Sequence, residues 1–401
     1  MTSAPHSTKP LPMQWRVGMD CRNHHPLVQK DGTGIATYTR LLAADNERLG
    51  LGTCWLAERP PLSWGMNWTQ HCKASLTAKA LMDGQGCVPH RFYSHAIRQF
   101  RRTGRLTEVS SGQANPFDFM HWTCPVPVFW AGGPNIMTVH DLIPLLQPEL
   151  VGHKPNELQR ILEAHLKAGT CFVTVSEAVK KDMLAAFPSL QEGDLKVWQP
   201  PFPLSAADEE ARKKAPSPFP GGGFVFCGSM TPRKNLSRLI EAHGRSGTER
   251  ILHLVGPDGW KAAEALKAWA NHPHPERVKR HSWLSRGQLL RAVEEACALV
   301  FPSLAEGYGY PIVEAMALGT PVVTSSHHAC SETAGDGALL VRAHSVPDLT
   351  QALVALEAQP LLRAELTERG RRRALKLQDV SRWQEKAYLE WLHGLRASHA
   401  S

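Results

Sequence analysis

The chain has 401 residues, a formal net charge of +8 and a sequence pI near 9.1. This length favours two domains over one core, and the positive charge suits an anionic partner such as a nucleotide diphosphate, an acidic glycan, a nucleic acid or an anionic membrane face. Residues 1–9 lack the apolar core of a signal peptide, and no apolar run approaches the ~18 residues that span a bilayer. We therefore expect a cytoplasmic protein.

Cysteine and histidine are numerous but show no metal-binding spacing. The nine cysteines lie scattered without a C-x-x-C, which indicates reduced and mostly buried thiols. The twenty histidines include neighbouring pairs at 24–25 and 327–328, and adjacent side chains on a regular element cannot both face one ion. We therefore expect no metal site.

The first half of the chain opens with a predicted strand at 15–20, a glycine loop at 31–34 and a helix at 35–48. Residues 50–115 show no clear periodicity. Regular patterns then return, and they predict strands at 117–122, 135–139, 170–175 and 196–199 and a helix at 156–168. Ser176 and Glu177 read as an N-cap followed by an acid in the first helical turn.

Composition changes between residues 204 and 222. A mixed charge run at 208–214 is followed by A-P-S-P-F-P-G-G-G at 215–223. Because Pro and Gly interrupt regular structure, this segment is predicted to be a linker.

Strand and helix patterns alternate in the second half. Strands are predicted at 224–227, 251–255, 278–281, 298–301, 322–324 and 339–341. Helices are predicted at 235–243, 261–270, 285–296, 311–318, 346–358, 361–377 and 381–396. Ser381 and Gln384 form a predicted capping box for the last helix. The alternation favours parallel sheets with crossover helices.

These patterns predict an α/β protein with two doubly wound, Rossmann-like domains that face each other across a cleft. The boundaries are 13–203 for the first domain, 204–222 for the linker and 223–380 for the second domain, with a last helix at 381–398. Ligands of such sheets bind beyond the carboxyl ends of the strands, and domain interfaces are also favoured ligand sites. Functional residues are therefore expected in loops that follow strands.

The strongest functional pattern follows the predicted strand at 298–301. Glu306 falls in a loop, and Glu314 falls in the first turns of the next helix. Gly307 and Gly309 allow close approach of the backbone to a ligand, and amides near Tyr310 favour anionic oxygens. An ionised carboxylate can accept two hydroxyl hydrogen bonds, so the pair suits a sugar diol. The alternative is that both are ordinary surface acids, or that Glu314 only complements the helix dipole.

A second pattern places two cations, Arg233 and Lys234, at the start of a predicted helix. Cations there oppose the helix dipole unless an anion lies between them, and a diphosphate would explain the arrangement. The alternative is a pair of solvated charges on a loop.

Two weaker patterns follow strands in the first half. His140 comes directly after the strand at 135–139 and is expected to face the cleft, although a lone histidine at such a position is more often structural. Gly32 and Gly34 lie between the first strand and a helix, where backbone amides can approach a phosphate.

Together these segments resemble glycosyltransferase family 4, the retaining enzymes of the GT-B fold. The family motif E-x7-E falls on Glu306 and Glu314, and the resemblance implies that Glu314 holds the nucleotide ribose while Glu306 contacts the donor hexose. It also implies that the intervening backbone touches sugar and phosphate, and that Glu332 helps to close the nucleotide pocket. The intervening residues are Gly307, Tyr308, Gly309 and Tyr310.

The resemblance assigns the remaining candidates as well. Lys234 matches the family lysine on the leaving diphosphate, whereas Ser229 stands where the family has arginine, so that Arg233 partly substitutes. His140 would line the donor hexose site. The loop containing Gly32 and Gly34 would lie beside the donor phosphate.

The resemblance also implies a reaction and a domain division. The first domain would bind the acceptor, the second would bind the nucleotide sugar, and the helix at 381–398 would cross back to the first domain. No D-x-D motif stands in a plausible loop, so neither a metal nor another cofactor is expected. The acceptor hydroxyl would attack from the leaving-group face, with net retention of the anomeric configuration.

A basic segment at 90–105 carries five arginines and no acid. Phe92, Ile97 and Phe100 fall at helical spacing, which permits a helix lying on an anionic membrane face. A solvated basic helix that binds an acidic glycan or nothing is the alternative.

The sequence therefore predicts a hexosyltransferase that uses a nucleotide diphosphate sugar, with GDP-mannose favoured because P-R-K-N resembles bacterial surface-polysaccharide mannosyltransferases. The acceptor would be a glycan or lipid-linked saccharide in surface or exopolysaccharide biosynthesis. A sugar-nucleotide 2-epimerase, another GT-B enzyme such as a phosphorylase, and a non-catalytic nucleotide-sugar-binding protein stay open. A nucleic-acid partner is not expected, because no recognition motif is present.

Overall fold

The computed structural model describes residues 15–22, 34–58, 79–82, 87–111, 116–152 and 155–400. Its strands are β1 Arg16–Asp20, β2 Gly52–Glu58, β3 Lys79–Met82, β4 Cys87–Val88, β5 Thr107–Ser111, β6 Phe119–Trp122, β7 Val128–Trp130, β8 Asn135–Val139, β9 Cys171–Thr174, β10 Leu195–Val197, β11 Phe224–Cys227, β12 Leu252–Val255, β13 Val278–His281, β14 Ala298–Phe301, β15 Val322–Ser325 and β16 Leu339–Val341. Nearly all predicted strands recur within two residues of their predicted bounds.

Helices follow most of these strands. They are α1 Gly34–Arg48, α2 Phe92–Thr103, α3 Ile143–Leu146, α4 Pro155–Lys167, α5 Glu177–Ala186, α6 Ala206–Lys214, α7 Leu236–Ser246, α8 Ala263–Ala270, α9 Arg286–Glu294, α10 Tyr310–Leu318, α11 His328–Ala334, α12 Val346–Ala358 and α13 Pro360–Ala400. No helix among the described residues is long and apolar enough to cross a membrane.

The strands form two large parallel sheets and one small sheet. The first large sheet has the order β10-β9-β8-β6-β1-β2-β4, and the second has the order β13-β12-β11-β14-β15-β16. All residues of β8, β11 and β14 are buried, as expected for parallel strands that helices cover on both faces. The α/β prediction with two doubly wound sheets is thus confirmed.

The chain divides into two compact units. The first unit comprises the described residues of Met1–Val139, Glu157–Val173 and Trp383–Ser401, and the second comprises those of His140–Asn156 and Thr174–Arg382. In the second unit the strand order changes direction between β11 and β14, which lie side by side at the centre of the sheet. The connections that follow these two strands therefore lead to opposite sides of the sheet's centre. The loops at the carboxyl ends of the two strands border a crevice at this point.

The segment 204–222, predicted as a linker, contains the helix α6. Ser205 and Asp208 form its capping box, in which each side chain accepts the other residue's backbone N–H. Arg212 of α6 pairs with Glu294 on α9, and Arg286 pairs with Asp208. The predicted linker therefore contains a capped helix of 9 residues, and ion pairs join it to α9.

The two predicted terminal helices form one continuous helix, α13. Ser381, predicted to cap a new helix, lies inside α13, and its hydroxyl oxygen accepts the backbone N–H of Phe202 at 3.3 Å. No Gly or Pro stands between 371 and 393, so nothing interrupts the helix. The final residues of α13 belong to the first unit, where His393 packs edge-on against Trp15 and Tyr388 lies within hydrogen-bond distance of His121.

Apart from the basic segment at 90–105, no element was predicted within residues 50–115, and the described parts of this range contain short elements. They include α2, the strands β2 to β5 and part of a three-stranded sheet of order β3-β5-β7.

Candidate active site

The loops after β11 and β14 are tied together in the crevice of the second unit. The backbone N–H of Leu304 donates to the carbonyl oxygen of Arg233 at 2.7 Å. Asn235 adopts the left-handed conformation (φ 62°) that starts α7, and its amide donates to the carbonyl oxygens of Pro302 (3.1 Å) and Ala343 (2.6 Å). These bonds fix the two loops relative to each other.

Three charged side chains meet between these loops. The Nζ of Lys234 lies 2.6 Å from Oε1 of Glu306, and Nη1 of Arg233 lies 2.7 Å from the same oxygen. Lys234 also lies over the ring of Phe301, 4.3 Å from its centroid. Lys234 and Glu306 are only 7% and 8% exposed. The structure thus brings together the three residues predicted for the diphosphate and the donor sugar.

The ionisation of this cluster favours an anionic ligand. Burial alone would raise the pKa of Glu306, but the charges of Arg233 and Lys234 outweigh it and lower the pKa to about 2. Burial lowers the pKa of Lys234, against the attraction of Glu306. Burial also raises the pKa of the nearby Asp141, and the charge of Arg233 opposes this. Two cations therefore face one firmly ionised carboxylate, and a further anion would satisfy the remaining charge.

The segment between Glu306 and α10 follows a path that requires glycine. A Cβ built on Gly307 would overlap the carbonyl oxygen of His140, and Gly309 has a φ of 103°. The backbone of His140 therefore lies against the loop that also holds Glu306. His140 is half-buried beside this loop, and its place near the donor stays a prediction.

Glu314, on α10, is held by an arginine that the sequence did not single out. Nη1 of Arg286 lies 2.8 Å from Oε1 of Glu314, while its Nε lies 3.1 Å from Asp208 and its Nη2 donates to the carbonyl oxygen of Pro203 at 3.2 Å. Glu314 and Asp208 raise the pKa of Arg286 against the effect of burial. Arg286 is the first residue of α9, where a cation opposes the helix dipole, and this feature could have identified it in the sequence.

Glu332 caps the N-terminus of helix α5. Its two oxygens accept the backbone N–H groups of Glu177 and Ala178, both at 2.8 Å, and so cap α5. Ser176 completes the cap and donates from its hydroxyl to the carbonyl oxygen of Gly307 at 2.8 Å. Both oxygens of Glu332 are thus occupied by α5, and its role in a nucleotide pocket stays a prediction.

The other predicted residues have different surroundings. Tyr308 and Tyr310 are buried with their rings edge-to-face, centroids 5.6 Å apart, and burial raises the pKa of Tyr308. Gly34 begins α1 in the first unit, and Gly32 lies outside the described residues. Within the part of the chain that the structure describes, no group of three or more His, Cys, Asp or Glu could hold a metal ion.

Solved structures show which architecture this is. HepE of Anabaena in complex with UDP and glucose matches with a TM-score of 0.64 over 95% of this chain and 100% of that chain, at 14% identity. The fold is GT-B. Residues 208–373 match the family model described as Glycosyl transferases group 1, and this segment contains the predicted site residues Arg233, Lys234, Glu306 and Glu314.

Characterised relatives align with part of the chain. MMP alpha-(1->4)-mannosyltransferase of Mycolicibacterium hassiacum is 36% identical over 172 residues, which are 41% of this chain and 40% of that protein. Alpha-maltose-1-phosphate synthase of Mycobacterium tuberculosis is 26% identical over 268 residues, which are 61% of this chain and 68% of that protein. The match thus spans about two fifths of the first relative. Together with the GT-B fold, these matches support a transferase enzyme.

Proposed function

We propose that the chain is a retaining hexosyltransferase of glycosyltransferase family 4 that binds a nucleotide diphosphate sugar in the crevice of its second unit. The observation that carries this proposal is the convergence of Arg233, Lys234 and Glu306 on two loops at the switch point of the sheet. A buried cluster with two cations and one carboxylate suits a ligand that has a diphosphate beside a polyhydroxylated ring.

In this proposal the diphosphate binds Arg233 and Lys234, and the amides at the start of α10 provide further donors. The bond between the anomeric carbon and the phosphate oxygen breaks as charge develops on the leaving diphosphate. The two cations are already in place to stabilise that charge, which is the main source of catalysis. Ser229 stands where the family has an arginine. In this proposal Arg233 partly substitutes for that arginine, because its guanidinium lies in the cluster.

The acceptor hydroxyl forms the new bond to the anomeric carbon from the same face, and its proton passes to the departing phosphate oxygen. Glu306 has a pKa of about 2 and so acts as an ionised hydrogen-bond acceptor for sugar hydroxyls rather than as an acid. The configuration at the anomeric carbon is retained. His140 lines the hexose site beside Gly307. The proposed reaction needs no metal or other cofactor.

Glu314 receives the ribose diol. One of its oxygens is held by Arg286, which fixes the carboxylate before the nucleotide arrives. A carboxylate that is already oriented accepts two hydroxyl groups without paying side-chain entropy on binding.

We favour GDP-mannose as the donor and a glycan or lipid-linked saccharide of a surface or exopolysaccharide as the acceptor. The P-R-K-N sequence at 232–235 and the mannosyltransferase relative support mannose. The maltose-1-phosphate synthase relative and the UDP in HepE support a comparison with UDP-glucose.

A contact of α2 with an anionic membrane would be electrostatic. Phe92 and Phe100 are buried in the first unit, so the expectation that they form a membrane-facing apolar stripe is wrong. Arg98 and Arg102 are exposed on this helix and are available to acidic headgroups, whereas Arg101, also exposed, is paired with Glu157 at 2.8 Å.

Thermal stability in a panel of nucleotide sugars tests the proposal. A donor at 100 times its Kd should add about 2.7 kcal/mol to the apparent stability, and Glu314→Ala should abolish the shift. Transfer to a saccharide acceptor, unaffected by EDTA, is the expected activity. Release of a free epimer without an acceptor would instead identify an epimerase, and binding without turnover under any acceptor would identify a binding protein.

A further inference from the structure

His328 occupies a strained position next to the candidate active site. It is the first residue of α11 and has a φ of 54°, in the left-handed region that non-glycine residues seldom adopt. Such strain persists where surrounding contacts fix the residue, and it concentrates at functional sites. The contacts that fix His328 are made by its imidazole ring.

Both nitrogens of this ring face oxygen atoms that can only accept hydrogen bonds. Nδ1 lies 3.1 Å from the backbone carbonyl oxygen of Glu306, and Nε2 lies 2.8 Å from Oδ2 of Asp182 on α5. A neutral imidazole has one N–H and one lone pair, so it would turn the lone pair toward a carbonyl or a carboxylate. The imidazolium has two N–H groups and satisfies both acceptors.

A fully buried histidine of the first unit, His165, shows the opposite arrangement. His165 places Nε2 2.8 Å from the carbonyl oxygen of Val126 and Nδ1 2.8 Å from the hydroxyl of Thr170, which can donate. A neutral ring satisfies both contacts, and burial lowers the pKa of His165 to about 4. The two histidines therefore differ because of the atoms around them.

The charges around His328 support its protonated form. The hydrogen bond to Asp182 raises the pKa of His328 above its ordinary value, against the opposing effect of burial, and Glu332 on the same helix adds to the rise. Asp141, in the loop after β8, also interacts with the imidazolium: burial raises the pKa of that carboxyl, and the charges of Arg233 and His328 oppose the rise. The cations Arg233 and Lys234 are paired with the side chain of Glu306.

We propose that His328 is a positioning residue which, as an imidazolium, joins α5 to the Glu306 backbone and so holds the donor loop in its binding geometry. The inference rests on the proposed function for its effect on donor binding. The neighbouring bond from Ser176 to the Gly307 carbonyl ties the same loop to the start of α5. Without the charged ring, the carbonyl of Glu306 loses its anchor on α5, and the loop that carries Glu306 and leads into α10 loosens.

The pH dependence follows from the sign of the pKa shift. The folded protein holds the proton of His328 more tightly than a free histidine, so the contribution is complete below pH ~6.5 and disappears as pH rises through the raised pKa. Affinity for a nucleotide diphosphate should fall over the same interval. Lys234 also has a lowered pKa and can weaken binding at alkaline pH, so variants must separate the two residues.

The experiment measures the Kd of GDP and of UDP across pH 5.5–9.5 for the full chain and for variants. Asp182→Asn should move the midpoint of the affinity loss down by about 1 pH unit or more, because it removes the negative partner of His328 but does not contact Lys234. His328→Gln should bind roughly tenfold more weakly at pH 6 and should lose this midpoint. His328→Arg, which keeps a permanent charge with several donors, should restore affinity and also lack the midpoint.

His327→Gln is the matched control. His327 directly precedes His328, but its Nε2 meets one acceptor, the carbonyl oxygen of Leu304 at 2.9 Å, which a neutral ring satisfies. The midpoint of this variant should equal that of the unchanged chain. An unchanged midpoint in Asp182→Asn would overturn the inference.

A spectroscopic measurement separates the inference from the proposed function. The ¹⁵N resonances of the ring, assigned by their loss in His328→Gln, should show both nitrogens protonated at pH 6.5. A singly protonated ring at that pH would overturn the inference even if nucleotides bind. Failure of both nucleotides to bind at every pH, with a doubly protonated ring, would overturn the proposed function and leave the imidazolium supported.

Discussion

The ionisation of Glu306 limits what its side chain can do. Arg233 and Lys234 hold its pKa at about 2 despite burial, so its carboxylate is charged at every pH at which the protein would act. Since a depressed carboxyl pKa adds stability that is lost only as pH falls through the folded value, Glu306 should not contribute an acidic limb to the rate profile above pH ~3. A titration of the transfer rate near pH 4.5 that depended on Glu306 would contradict this assignment.

Lys234→Met tests the part of the cluster that faces the diphosphate. We expect the rate of transfer to fall about 10²- to 10³-fold, as for the loss of one preorganised donor to a developing anion. Arg233 stays paired with Glu306 in this variant, so the fold should persist. Lys180→Met, which removes a lysine paired 3.6 Å from the exposed Glu192, is the control and should keep the original rate. An unchanged rate in Lys234→Met would refute the role.

Arg286→Ala tests how Glu314 is oriented. The substitution leaves Glu314 buried without its arginine, and we expect the Kd for GDP to rise roughly tenfold, as for a lost hydrogen bond to a charged group. The matched control is Arg291→Ala on the same helix, because Arg291 pairs with Glu294 and Glu295 instead. Equal effects of the two substitutions on nucleotide affinity would show that Arg286 only stabilises α9.

At the scale of elements, the sequence predicted those parts whose patterns are local. The six strands predicted in the second half, and the five helices predicted there before residue 360, recur within three residues because apolar runs and helical patterns alternate in this part of the sequence. The pairing of Glu306 with Arg233 and Lys234 could be anticipated only from the resemblance, since 72 residues separate Lys234 from Glu306. Arg286 was missed because contacts with Asp208 and Glu314, on other elements, decide its role. The helix α6 and the continuity of α13 were missed although local features indicate them, namely a capping box and a stretch without Gly or Pro.

The loop between β14 and α10 depends on a glycine that cannot be replaced. In Gly307→Ala the new Cβ would overlap the carbonyl oxygen of His140, so the two loops must separate. We expect loss of donor-induced thermal stabilisation and a lower Tm. The control is Gly193→Ala, where a Cβ would meet no described atom within 4 Å and the backbone φ is not in the left-handed region. Preserved donor binding in Gly307→Ala would contradict the close contact.

At the scale of the whole molecule, buried neutral histidines make both units sensitive to acid. Burial lowers the pKa values of His165 in the first unit and of His243 and His253 in the second to about 4. Unfolded histidines bind protons below pH ~6.5, so stability should fall as pH drops from that value toward 4. The complete burial of His165 makes its share roughly 3 kcal/mol.

Thermal unfolding at pH 7 and pH 5 checks this expectation. His165→Gln should reduce the difference in Tm between the two pH values, whereas the exposed His399→Gln should leave it unchanged. A difference that His165→Gln does not alter would show that other groups control the acid response. Because the chain has two units, each transition should be followed separately.

A crystal structure of the chain with bound GDP-mannose tests the central claim most directly. The account predicts diphosphate oxygens within hydrogen-bond distance of Arg233 and Lys234, ribose hydroxyls on Glu314 and a mannose hydroxyl on Glu306. A nucleotide bound elsewhere, with the ion pairs of Glu306 intact and Glu314 out of contact with it, would contradict the account.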